Sequence, residues 1–82
     1  MNDMNSLLPL AQLPAGEEAS LVSLAPGAGF TGRLTSLGFT PGVEIRMMQN
    51  IGHGPLLVTV RGTRVALGRR EAGSIMVKRN KA

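Results

Sequence analysis

Between Leu37 and Val43 the spacing of apolar residues changes from a helical period to alternation, and the five residues in between, Gly38-Phe39-Thr40-Pro41-Gly42, leave the backbone little choice. Upstream, Phe30, Leu34 and Leu37 fall at i, i+4 and i+7, one stripe of a short amphipathic helix. Gly38 directly after the stripe suits the left-handed position that ends a helix, and Phe39 is then placed to fold back on Leu34. Thr40-Pro41-Gly42-Val43 carries a type II turn signature, proline presetting φ at the second position and glycine taking positive φ at the third. Downstream, Val43, Ile45 and Met47 alternate with Glu44, Arg46 and Met48, a strand with one face in a core and the other mostly wet.

Period two then dominates. Asn50 to Pro55 is a glycine-rich loop leading back into Leu56, Val58 and Val60, which makes a hairpin. For the next turn, a two-residue type II′ loop at Gly62-Thr63 would pair Val60 with Val65 and Val58 with Leu67, keeping the large apolar residues on one face. Arg69 to Gly73 reads as one helical turn, and in the last strand Ile75 and Val77 alternate with Met76, Lys78 and Arg79. Ahead of the helix, Glu18 to Leu24 reads as a strand stopped by Pro26-Gly27, although the adjacent Leu21 and Val22 disturb its alternation. Leu7 to Leu13 is an apolar lead-in broken by Pro9, with Pro14 behind it. The expected organisation is a flexible segment over 1–9, one domain over 10–79 and a short tail over 80–82.

About five short strands and one short helix, in 82 residues, point to a mainly β fold: a small barrel that closes its own edges. A chain of this size buries only about 60% of its unfolded surface, so the core must be thin. With 43% hydrophobic and 17% charged residues it still suits a folded globule. The absence of cysteine removes disulfides, thiolate nucleophiles and thiolate metal cages, and fits a reducing cytoplasm. No basic leader or long apolar run marks export or membrane spanning.

These segments resemble the FeoA family of ferrous-iron-transport accessory proteins. The resemblance is carried by Leu10, Leu13 and Gly16, by Arg33-Leu34 and Leu37-Gly38-Phe39-Thr40-Pro41-Gly42, and by Gly54-Pro55-Leu56, Val58, Gly62, Val65-Ala66-Leu67, Ala72, Ile75 and Val77. It implies an SH3-like barrel and a cytoplasmic regulator that binds the cytoplasmic portion of the GTPase-containing ferrous iron transporter FeoB, peripheral to the membrane through that partner only. It also implies a relation to the C-terminal domain of iron-dependent repressors, so a small basic nucleic-acid-binding barrel or transcription-regulatory module is the alternative. Oligomeric state stays open.

Several chemistries can be set aside. Gly27-Ala28-Gly29-Phe30-Thr31-Gly32 fits G-x-G-x-x-G, but a dinucleotide site needs a parallel βαβ unit, and this chain continues into a turn and hairpins. Glu17, Glu18, Glu44 and Glu71 are scattered, and no Ser, Thr or His forms a nucleophile motif, so no enzyme is expected. No cofactor is required. His53, between Gly52 and Gly54, could hold a divalent transition metal weakly through one nitrogen, which is an incomplete site; an exposed loop histidine is the plainer reading.

The basic residues are the stronger candidates. Residues 1–32 carry three acids and no Lys or Arg, whereas residues 33–82 carry all nine basic residues against two acids, so the second half favours an acidic partner. The inferred turn sets Arg61 opposite Arg64, a like-charge pair, with Arg69 and Arg70 a few residues on. These four arginines read equally as a solvated face or as a patch for a partner's carboxylates. Leu57, Met48 and Met76 are the apolar candidates beside them. Nucleic acid is not expected, because single-strand binders stack bases on aromatic side chains and the only aromatics are Phe30 and Phe39.

Overall fold

The computed structural model of the chain describes residues 7–25 and 31–80. In order these are β1 (Leu7–Pro9), a 3-10 turn (Leu10–Gln12), β2 (Glu18–Leu24), α1 (Thr31–Ser36), β3 (Glu44–Gln49), β4 (Leu56–Val60), β5 (Thr63–Leu67), α2 (Arg69–Gly73) and β6 (Ile75–Arg79). The strands form one antiparallel sheet in the order β1-β6-β2-β3-β4-β5. The fold is mainly β as expected, with six strands instead of about five and two short helices. The added strand is β1, where Leu7, Leu8 and Pro9 pair with Lys78, Val77 and Met76. Three residues ending in proline give no local strand signal; they become a strand because the far end of the chain supplies the partner and because proline is tolerated at a sheet edge.

Alternation fills the core from one face of each strand. Ala19 and Leu21, Ile45 and Met47, Leu56, Val58 and Val60, Val65 and Leu67, and Ile75 and Val77 are all buried. Leu10, Leu13, Leu34, Phe39 and Ala72 cap this set from the turns and helices, and no polar or charged residue is buried among the described residues. Each large side chain removed from water contributes roughly 1.5 to 3 kcal/mol, which is how a thin core holds. Among the described residues no ladder joins β1 to β5. Instead the 3-10 turn that follows β1 packs against α2, which follows β5.

The helix ending matches its sequence signature. Phe39 N–H donates to the Leu34 carbonyl at 2.9 Å, Gly38 N–H donates to Thr35 at 3.0 Å, and Gly38 has φ +102°. Val43 N–H then donates to Thr40 at 3.0 Å with Gly42 at φ +87°, the type II turn. Of the apolar stripe, Leu34 is fully buried and Leu37 is exposed. Phe30, the Pro26-Gly27 stop and most of the glycine motif lie outside the described residues. A Cβ at Gly38 would sit 2.8 Å from Arg61 Cδ as well as at positive φ. Gly38→Ala is therefore expected to lower stability by about 1 kcal/mol or somewhat more, read as a shift in the urea midpoint. An unchanged midpoint would show that the glycine is not needed there.

The β4–β5 turn is a correction. It is centred on Arg61-Gly62, not Gly62-Thr63, and both central residues have positive φ, 53° and 78°, a type I′ turn. Val60 pairs with Thr63, Thr59 with Arg64, Val58 with Val65 and Leu56 with Leu67. The expected and observed registers differ by two residues, so both keep the same side chains inward. The observed one pairs all five residues of each strand, whereas the other would leave Leu56 facing Arg69. Arg61 and Arg64 are not cross-strand partners, and the repulsion inferred between them is absent.

Candidate docking surface

On the outward face of the sheet one row crosses four strands, Glu18 on β2, Arg46 on β3, Thr59 on β4 and Arg64 on β5. Arg46 Nη1 donates to Glu18 Oε2 at 3.1 Å. The other carboxylates among the described residues are also engaged. Glu17 takes a forked pair from Arg79, at 2.9 and 2.8 Å. Glu71 pairs with Arg33, and Glu44 accepts from Ser20 at 3.1 Å and from Asn80. Pairs that water still reaches contribute about 0.2 to 1 kcal/mol each, so their main effect is on which charges remain.

Four arginines, Arg61, Arg64, Arg69 and Arg70, have no carboxylate partner among the described residues, and three of them, Arg61, Arg64 and Arg70, are exposed. Arg61 holds the first position of the type I′ turn, where Asn or Gly carries less strain, with its side chain laid over Gly38 at the end of α1. Arg64 stands on β5 beside Thr59, and Arg70 lies on α2 just past the strand.

Arg69, grouped with them by sequence, is drawn inward. Its Nε donates to the Gly54 carbonyl at 3.1 Å and its Nη2 to Asn50 Oδ1 at 2.5 Å. Asn50 Nδ2 in turn donates to the carbonyls of Ala11 and Leu13, at 2.9 and 3.0 Å. This clasp ties the β3–β4 loop to the 3-10 turn and α2. The sequence reading passes over Asn50, since nothing local marks an asparagine in a glycine-rich loop as a crosslink.

The apolar candidates divide. Met48 stands out at the β3 bulge and Leu57 is half-buried between Gln49 and Ala66, so these two share one end of the outward face. Ile51, not singled out by sequence, follows in the same segment and is 63% exposed. Met76 lies on β6 between Pro9 and Ser23, toward the opposite end. His53 is exposed at its loop tip between two positive-φ glycines, and no group of three or more His, Cys, Asp or Glu gathers among the described residues.

The FeoA domain model matches residues 8–79, nearly the whole of this arrangement. The chain belongs to the FeoA family. A Methanocaldococcus jannaschii protein named for Fe(2+) transport, as transport protein A, is 33% identical over 72 residues, 88% of this chain and 87% of the relative. The crystal structure of Stenotrophomonas maltophilia FeoA complexed with zinc, described as a procaryotic SH3 domain protein, superposes with TM-score 0.76 at 36% identity, over 84% of this chain and 87% of that one. A manganese-dependent transcriptional repressor shares the fold at TM-score 0.81 and 17% identity, with 89% of this chain covering 41% of it. The FeoA fold described here is thus the SH3-like fold expected from the sequence, except that among the described residues its edge strands β1 and β5 are not joined by a ladder as a barrel closing its own edges would require. Among the described residues no helix is long and apolar enough to cross a membrane.

Proposed function

We propose that this FeoA-family chain is a non-catalytic, cytoplasmic accessory protein of ferrous iron uptake that binds the cytoplasmic portion of FeoB through its arginine-bearing face. The observation that carries this reading is that the three exposed arginines without a carboxylate partner fall between residues 61 and 70, on the β4–β5 turn, β5 and α2. Arginine forks suit carboxylates, and such contacts are worth most where water is partly excluded. Met48 and Leu57 on the outward face, with exposed Ile51 in the loop that follows β3, offer an apolar margin of the kind interfaces use. Met76 would join only a partner that spans the sheet.

The test is a titration of the purified cytoplasmic portion of FeoB with this chain at two salt concentrations, beside a random-sequence DNA oligonucleotide. Saturable, moderately salt-sensitive binding to the transporter is expected. Binding to the oligonucleotide alone, with the steep salt slope that several phosphate contacts produce, would replace this reading with the nucleic-acid one.

On this reading no cofactor is needed. His53 offers one imidazole nitrogen to a divalent transition metal, and one ligand does not enclose an ion. Zinc titration followed by the His53 ring resonances is expected to show weak binding that is lost in His53→Ala. Tight stoichiometric binding that survives the substitution would refute it.

A further inference from the structure

The sheet has two ends, and they are built differently. β1 is three residues long and closes on Pro9, which has no N–H to offer. At the other end β5 runs five residues without proline or bulge, and β4 is the strand paired with it. The two-residue loop fixes which of its groups point where. Val60 and Thr63 flank the loop and form a hydrogen-bonded pair, so Val65 and Leu67 also bond to β4. The N–H and C=O of Arg64 and Ala66 therefore face away from β4, toward the open edge, and both residues are exposed.

We propose that β5 receives an extended, acidic segment of a partner protein as an added strand, with the Arg64 and Ala66 backbone supplying the new ladder. This rests on the docking reading above and specifies its form. Three features define the occupant. Arg61, Arg64 and Arg70 place uncompensated positive charge on the edge and at both its ends, which selects carboxylates and repels the same edge of a second copy. Val65 is the least deeply buried member of the core, at 6% exposure, and it lies on this strand facing inward. An added strand with an apolar residue on its inner face would cover it. The outward positions of that strand fall beside Arg64, so the segment that fits alternates apolar and acidic residues.

The probe is a synthetic heptapeptide of alternating Val and Glu, blocked at both ends, added to the intact chain and followed by amide hydrogen exchange. Slowed exchange at Arg64 and Ala66, with no slowing along β1, is the expected result. Ala66→Pro removes one edge N–H that β4 does not use, and it is expected to weaken peptide binding about tenfold while Ala66→Ser changes it less than about twofold. Arg64→Glu tests the charge without touching the backbone and is expected to weaken binding at least as much. The same measurements are then made with the cytoplasmic portion of FeoB. Wild-type peptide binding by Ala66→Pro, or unchanged exchange at Arg64 and Ala66 in the peptide complex, would overturn the added strand; Arg64 would then be a residue that only keeps β5 edges apart. Peptide binding at β5 with no binding of FeoB would sink the transporter reading and leave the added strand standing. FeoB binding that Ala66→Pro does not weaken would do the reverse.

Discussion

Phe39→Ala is expected to cost about 3 to 5 kcal/mol, against a total stability of about 4 to 12 kcal/mol for a domain of this size. Phe39 is the largest fully buried side chain among the described residues, and its backbone N–H also closes the end of α1 on Leu34. Truncation thus opens a cavity where helix, turn and strand are already held by the Gly38 and Pro41-Gly42 geometry, which limits collapse into the space. Phe39→Leu keeps most of the volume and should cost less than half as much. Urea unfolding followed by circular dichroism reads both, and a loss under about 1 kcal/mol for Phe39→Ala would mean that the core is not organised around this residue.

Asn50→Ala and Arg69→Ala form the second large effect. Removing the Asn50 amide strips its donors from the Ala11 and Leu13 carbonyls and its acceptor from Arg69. Both side chains are half-buried, so water recovers part of the loss, and each substitution is expected to cost about 1 to 3 kcal/mol. Because they share one network, the double variant should cost less than the sum. Additive losses would show that the two side chains act separately.

Part of this fold is legible in the sequence. Gly38 and Pro41-Gly42 were legible because a helix ending and a type II turn are set by residues a few positions apart. The limits of β2 and α2 were legible for the same reason. The β4–β5 register was not, since a shift of two residues preserves every inward side chain and the choice falls to the number of paired residues. β1 depends on β6 at the other end of the chain. The division among the arginines was hidden for a related reason: Arg79 finds Glu17, and Arg69 finds Asn50 and Gly54, only after the sheet has formed. Four basic residues close in sequence therefore looked alike, although one is drawn inward by Asn50 and Gly54 and three stay exposed.

That division is the centre of the account, and one paired measurement addresses it. The melting curve and the titration against the cytoplasmic portion of FeoB are recorded for Arg61→Ser/Arg64→Thr/Arg70→Ser and, separately, for Arg69→Ala. Desolvated charge-assisted contacts are worth roughly 1.5 to 3 kcal/mol each and rim contacts much less, so the triple variant should bind at least about tenfold more weakly. Its midpoint should hold, because all three side chains are exposed and none is paired with a carboxylate among the described residues. Arg69→Ala should melt lower, yet its folded fraction should bind as wild type does. Wild-type affinity in the well-folded triple variant, or loss of binding by folded Arg69→Ala, would contradict the account.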